Sequence, residues 1–113
     1  MRITTFVRAL VLIVVWGMSG SANAQDVGAG RLLAEKLCVR CHGIGRSDVS
    51  KLAAAPPFRV IATRYSVWTL EESFAEGIVV GHTAMPEFVL NPDQITNLLS
   101  YMDTLTPRTK KAK

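Results

Sequence analysis

The clearest pattern of apolar and polar positions lies near the end of the chain. Apolar residues recur there at the spacing of one helix face: Ile95, Leu98, Leu99, Met102 and Leu105. Asn91-Pro92-Asp93-Gln94 stands directly before them and carries the residues of a helix start: a capping asparagine, a proline and a glutamine three residues after the cap. Pro107 marks the end of the segment. The pattern predicts a packed amphipathic helix.

Another helix is predicted to run from Asp26, which suits an N-cap, towards the cysteine at position 38. Its apolar stripe consists of Leu32, Leu33 and Leu37. The small residues Ala29, Gly30 and Ala34 lie beside that stripe. A glycine inside a helix costs about 0.8 to 1 kcal/mol relative to alanine. Gly30 therefore indicates close crossing by another helix or, together with Gly28, merely a loosened N-terminus.

Shorter elements are predicted in the middle of the chain. Residues 43–57 are rich in Gly, Ser and Pro and predict a loop, and residues 60–65 predict a short helix. Thr69 and Glu72 match a capping box at the start of a further helix. Gly77 and Gly81 bracket residues 78–80, which are predicted to form the end of that helix and a turn. One face of that helix would carry Leu70, Phe74 and Ile78. The predicted elements are all helical.

Residues 1–24 have the features of a secretory signal peptide. Two arginines accompany an apolar run over residues 9–18, and Ala22-Asn23-Ala24 forms an A-x-A cleavage site. The alternative is an uncleaved membrane anchor, but the run is shorter than the roughly 20 residues that span a bilayer. Cleavage would leave an exported, periplasmic chain from Gln25 to Lys113 with no stable membrane span.

The charge of the chain is concentrated at its two ends. The formal net charge is +4, but residues 25–107 hold 7 basic and 9 acidic residues. We therefore expect no broad basic face of the kind that binds nucleic acid. Residues 108–113 are predicted to form a flexible basic tail. The remaining domain is close to the size at which an apolar core alone is marginally stable, so a buried cofactor would complete it.

The main candidate for chemistry is Cys38-Val39-Arg40-Cys41-His42, a C-x-x-C-H motif that indicates covalent attachment of a c-type haem. If the segment is helical, Cys38, Cys41 and His42 share one face. Two thiols could then add to two vinyl groups of one porphyrin while the imidazole reaches its iron. Export supports this interpretation, because bacteria couple haem to thiols outside the cytoplasm.

Two other interpretations of the cysteines remain open from the residues alone. A thiol redox motif also uses C-x-x-C, but it expects a strand before the motif, and no alternating β-branched run precedes Leu37. A zinc site needs four ligands. The chain offers only Cys38, Cys41, His42 and His82, and the adjacent Cys41 and His42 would fit awkwardly on one tetrahedron.

The histidine of the motif needs a partner for its second ring nitrogen if it binds a metal. A backbone carbonyl near Pro56 could accept that proton, although Pro56 and Pro57 could equally form only a stiff turn. Phe58 and Trp68 are expected in the core or in the wall of the cofactor site.

A loop over residues 81–88 holds two candidate sixth ligands, His82 and Met85. A thioether is a soft ligand that suits haem iron. Pro86 argues against a helical core position for Met85 and would hold the backbone beside it still. His82 is the rival ligand, although a lone loop histidine is more often exposed or hydrogen-bonded.

The motif, a Met-Pro loop 43 residues beyond His42 and a terminal amphipathic helix together resemble the class I c-type cytochromes over nearly all of residues 26–106. The resemblance implies a small all-α fold of three to five helices packed around one covalently bound haem c. The first and last helices of such a fold would cross at Gly30 and Tyr101. The family often has an aromatic residue four positions before the first cysteine, where this chain has Ala34.

The resemblance also assigns the site. It implies that Cys38 and Cys41 form the thioether bonds, that His42 is the proximal iron ligand and that Met85 is the distal one. With both axial positions filled, no position is left for a substrate, so we expect an electron carrier and not an enzyme.

The expected function is one-electron transfer between redox partner proteins by a monomeric periplasmic cytochrome. One alternative is an electron-accepting subunit of a dehydrogenase or oxidase complex, which uses the same site. The other is an open-site haem protein that binds ligands or has peroxidatic activity, with Met85 absent from the iron.

Overall fold

The structure is a computed structural model that describes residues 25–77 and 84–108. Over these residues the regular structure is entirely helical, which confirms the all-α prediction. The elements are α1 (Val27–Leu37), α2 (Phe58–Arg64), a 3-10 turn (Val67–Leu70), α3 (Glu71–Glu76) and α4 (Pro92–Asp103). None of these helices is long and apolar enough to cross a membrane. Several predictions fall outside the described residues: the signal peptide 1–24, Ile78, His82 and the tail beyond Arg108.

The long helices α1 and α4 begin at the predicted caps. The Asp26 carboxylate accepts a hydrogen bond from the Ala29 N–H at 2.8 Å. At the start of α4 the Asn91 side chain accepts from the Gln94 N–H at 2.9 Å, and the Gln94 side chain accepts from the Asn91 N–H at 3.0 Å. Each cap satisfies backbone donors that the first helical turn leaves without partners, which stabilises a helix by about 1 kcal/mol.

The helices α1 and α4 cross at Gly30. A β-carbon placed on Gly30 would overlap the carbonyl of Asn97 and would lie 3.0 Å from Cβ of Tyr101. The Asp26 N–H donates to the Asn97 side chain at 2.9 Å and ties the start of α1 to α4. Close helix packing, and not a loosened N-terminus, therefore explains the glycine.

The apolar side of α4 supplies most of the core. The predicted stripe is buried throughout: Ile95, Leu98, Leu99, Met102 and, just beyond the helix, Leu105. The predicted stripe on α1 is wrong in one position, because Leu32 is 66% exposed. The buried side of α1 is instead built on Gly30 and Ala34, whose small size lets α4 approach.

The starts of the two short helices differ from the prediction. Thr69 does not cap α3, because it lies inside the 3-10 turn and donates its hydroxyl to the Ser66 carbonyl at 2.8 Å. The capping-box prediction is therefore wrong, and α3 begins without a side-chain cap. Helix α2 begins at Phe58, earlier than predicted, because Pro57 can precede a helix without losing a hydrogen bond. Helix α3 ends at Glu76, directly before Gly77 with φ 100°, and so ends earlier than predicted.

Candidate functional site

A cavity of about 460 Å³ lies between the turn after α1, the helices α2 and α3, and the loop before α4. Cofactor and ligand sites in proteins commonly enclose about 300 to 1,000 Å³. Its apolar walls include Leu37, Ile61, Leu70, Phe74, Phe88 and Met102. These side chains come from every helix of the described fold, so the packing of the helices creates the cavity.

Four side chains singled out from the sequence, Cys38, Cys41, His42 and Met85, all line this cavity. The C-x-x-C-H motif lies in a turn directly after α1 and not in the helix itself. In that turn the N–H groups of Cys41 and His42 both donate to the Cys38 carbonyl, at 3.1 and 2.9 Å. The turn thereby groups the two thiols and the imidazole as the helical spacing predicted.

The surroundings of Cys38 do not suit thiol redox chemistry. No disulfide joins Cys38 and Cys41. Burial raises the pKa of Cys38 to about 11, so its thiol stays protonated at neutral pH. A redox-active C-x-x-C needs a lowered pKa on its attacking thiol. The surroundings of Cys38 therefore argue against the thiol redox interpretation.

The ring of His42 has a defined orientation. Its Nδ1 lies 2.7 Å from the Pro56 carbonyl oxygen. Because a carbonyl only accepts, Nδ1 is the donor in this bond, which leaves Nε2 as the nitrogen that could bind a metal. The ring also packs against Phe58, with 5.6 Å between ring centroids and 46° between ring planes. This arrangement is typical of a metal-binding histidine, and the acceptor lies at Pro56, where the sequence suggested one.

The residue after His42 lets the loop fold back closely. A β-carbon on Gly43 would lie 2.5 Å from the Asp48 carbonyl oxygen. The Gly43 N–H donates to the Ser50 hydroxyl at 2.9 Å, and the Gly43 carbonyl accepts from the Phe58 N–H at 2.8 Å. Gly43 thus supports the His42 segment from both sides, a role that its place in a glycine-rich loop did not reveal.

Met85 is partly buried and reaches the cavity from the loop before α4. The end of this loop is fixed where the Leu90 N–H donates to the Phe74 carbonyl at 3.0 Å. Gly77 also approaches the loop, because a β-carbon there would lie 3.0 Å from Cγ of Glu87. Contacts with α3 therefore hold the loop that presents the thioether.

Arg64, Tyr65 and Met102 are among the cavity-wall residues that were not assigned to the site from the sequence. Arg64 and Tyr65 line the cavity at the end of α2, and Met102 lines it from α4. Arg64 is the one lining residue with a permanent charge among the described residues. The helical spacing of Phe58, Ile61 and Arg64 could have predicted a shared face. Met102 was predicted as core, which is also correct.

The residues present fit a haem. Two unpaired thiols, an imidazole with a free Nε2 and a thioether meet in one apolar cavity, as a covalently attached porphyrin with two axial ligands requires. The Arg64 guanidinium suits the carboxylates that haem carries as propionate groups.

Comparison with known proteins supports this conclusion. The family model described as cytochrome c matches residues 27–106. Cytochrome c-552 of Bradyrhizobium diazoefficiens is 29% identical over 97 residues, which cover 86% of this chain and 91% of that protein. No solved structure matches the chain significantly. Because the family match extends from the start of α1 to beyond α4, the chain belongs to the cytochrome c family, and its family chemistry is electron transfer by covalently bound haem c.

Proposed function

We propose that the protein is a one-electron carrier whose haem is bound covalently to Cys38 and Cys41 and ligated by His42 and Met85. The observation that carries this proposal is the convergence of all four side chains on one cavity. The four lie in two separate parts of the chain, and the helix packing brings them together.

Each ligand has support from the surrounding chain. The bond from His42 Nδ1 to the Pro56 carbonyl orients the ring and makes Nε2 a stronger donor. The thioether of Met85 is a soft ligand that raises the reduction potential. When bound, the haem iron supplies reversible one-electron chemistry. The apolar walls exclude water from it, and Arg64 provides a cation for the propionates.

This ligand set favours a carrier over an enzyme. With His42 and Met85 both holding the iron, no ligand position would be left for a substrate. Ligands held by the packed fold would stay in place in both oxidation states, so little would rearrange when an electron moves.

The sequence supports an exported carrier. We propose that residues 1–24 are a cleaved signal peptide, that residues 25–107 form the cytochrome domain and that residues 108–113 are a basic tail. The mature protein is a periplasmic monomer that exchanges electrons with a donor and an acceptor protein. The near balance of charges in the domain gives no basis for nucleic-acid binding.

The test compares the two methionines that line the cavity. The mature protein is purified as Met85→Leu and Met102→Leu variants, which keep similar side-chain volume and commonly cost below about 1.5 kcal/mol. Met85→Leu is expected to lose the weak long-wavelength absorption band of a thioether bound to ferric haem, whereas Met102→Leu is expected to keep it.

Two results would count against the proposal. If Met85→Leu retains the band, Met85 is not a ligand of the iron. If the wild-type protein contains no haem, the assignment of Cys38, Cys41 and His42 is wrong.

A further inference from the structure

His42, Gly43 and Ile44 each form a hydrogen bond to a residue that is distant in the sequence. His42 Nδ1 bonds to the Pro56 carbonyl at 2.7 Å, and the Gly43 carbonyl accepts from the Phe58 N–H at 2.8 Å. The Ile44 carbonyl accepts from the Tyr101 hydroxyl at 2.7 Å. The first two bonds join the two ends of one loop. The third joins that loop to α4.

The Tyr101 hydroxyl occupies a well-determined place. Tyr101 and Ile44 are only 8% and 6% exposed, so water does not compete readily for their bond. The Tyr101 side chain begins at the crossing with α1, where Gly30 leaves room for its Cβ. Burial raises the pKa of Tyr101, so the phenol remains a donor at neutral pH. The helix crossing therefore fixes the donor of this bond.

A second tie to α4 lies nearby at the surface. Arg46 donates from Nη2 to the Thr104 carbonyl at 2.8 Å, just beyond the end of α4. This bond is exposed, so we expect it to constrain the loop less than the buried bond of Tyr101 does.

We infer that Tyr101 is a positioning residue for His42. Its hydroxyl holds Ile44 against α4. Ile44 lies two residues after His42, so this bond keeps the His42 ring within hydrogen-bond distance of the Pro56 carbonyl. The inference rests on the proposed ligation by His42. Without the hydroxyl, the segment shifts and the bond from Nδ1 to Pro56 weakens. The imidazole then becomes a poorer donor, the ferric iron is less stabilised, and reduction becomes more favourable.

The test uses the haem-loaded protein with Tyr101→Phe and Ser100→Ala variants. Tyr101→Phe keeps the ring at the helix crossing and removes only the hydroxyl. Ser100→Ala also removes a partly buried hydroxyl from α4, but that group bonds within the helix, to the Thr96 carbonyl at 2.6 Å. Both variants cost some stability, so only a change at His42 separates them.

Two quantities are measured: the reduction potential, and the solvent exchange of the His42 Nδ1 proton by NMR of the reduced protein. Tyr101→Phe is expected to raise the equilibrium constant for reduction about threefold, which corresponds to about 30 mV for one electron. It should also speed exchange of the Nδ1 proton. Ser100→Ala should change neither quantity.

A third variant, Arg46→Ala, keeps the test available if Tyr101→Phe fails to fold. It should speed exchange of the Nδ1 proton by a smaller factor, and only this rate is compared because the substitution also removes a charge. Equal potentials and exchange rates in Tyr101→Phe and Ser100→Ala, or an unchanged Nδ1 exchange rate in Arg46→Ala when it alone folds, would overturn the inference. A wild-type protein without an iron-bound His42 would overturn the proposed function and this inference with it.

Discussion

The crossing of α1 and α4 allows one stability prediction to be worked out in detail, for Gly30→Ala. The new β-carbon would come within 2.5 Å of the Asn97 carbonyl carbon and 3.0 Å of Cβ of Tyr101. Both neighbours lie close to the backbone of α4, so no side-chain rotation can relieve the contact. The two helices must separate.

Two opposing effects determine the size of the change. Replacing a helical glycine by alanine stabilises the helix by about 0.8 to 1 kcal/mol. Overpacking a close contact costs about 1 to 3 kcal/mol, and backbone contact places this site at the upper end. The net loss is about 2 kcal/mol of the free energy of unfolding. For a domain of this size it lowers Tm by roughly 8 to 16 °C.

Gly28→Ala is the matched control on the same helix. The nearest atom to its β-carbon would be Oδ1 of Asp26 at 3.3 Å, the oxygen that caps α1, which would have to move only slightly. This variant is expected to lose much less stability than Gly30→Ala. Thermal and denaturant unfolding of the haem-loaded variants measures both changes. If Gly30→Ala were as stable as Gly28→Ala, the proposed close crossing would be refuted.

Two further predictions concern charge. Arg64→Gln should lower the reduction potential, because loss of a cation beside the haem favours the more positive ferric form by up to about 1 kcal/mol. The control is Arg31→Gln, because the Arg31 side chain pairs with Glu35 on α1. Equal reduction potentials in the two variants would contradict the prediction. Burial raises the pKa of Tyr101 above its ordinary value of 10.0, so the unfolded chain loses the phenol proton at a lower pH than the folded protein does. The stabilisation by the buried phenol is therefore complete below pH 10.0 and is lost as the pH rises above it. Denaturant unfolding across this range should show a smaller loss in Tyr101→Phe than in wild type, and equal losses would show that the buried phenol is not the cause.

Features that depend on a few neighbouring residues were predictable from the sequence. The caps at Asp26 and Asn91 act over three residues, so the residue types alone identified them. The apolar period of α4 likewise predicted its buried side. Thr69 shows the limit of this reasoning, because its capping pattern was present but the preceding turn took up the hydroxyl.

Features that depend on distant parts of the chain were not settled by the sequence. Gly30 allowed two interpretations until the Asn97 carbonyl was located beside it. The partner of Tyr101 is the backbone carbonyl of Ile44, a group that every residue has and that leaves no signal in the sequence. Met102 has the periodicity of a core residue, and periodicity does not distinguish a neighbouring side chain from a cofactor as its contact.

The cavity has a consequence for how the protein is assembled. The walls of the cavity are largely apolar and come from every helix of the described fold, so without contents they would face water instead of packing partners. A chain that has not yet received haem would therefore be less stable than the haem-loaded protein. Attachment of the cofactor thus completes the core of the fold.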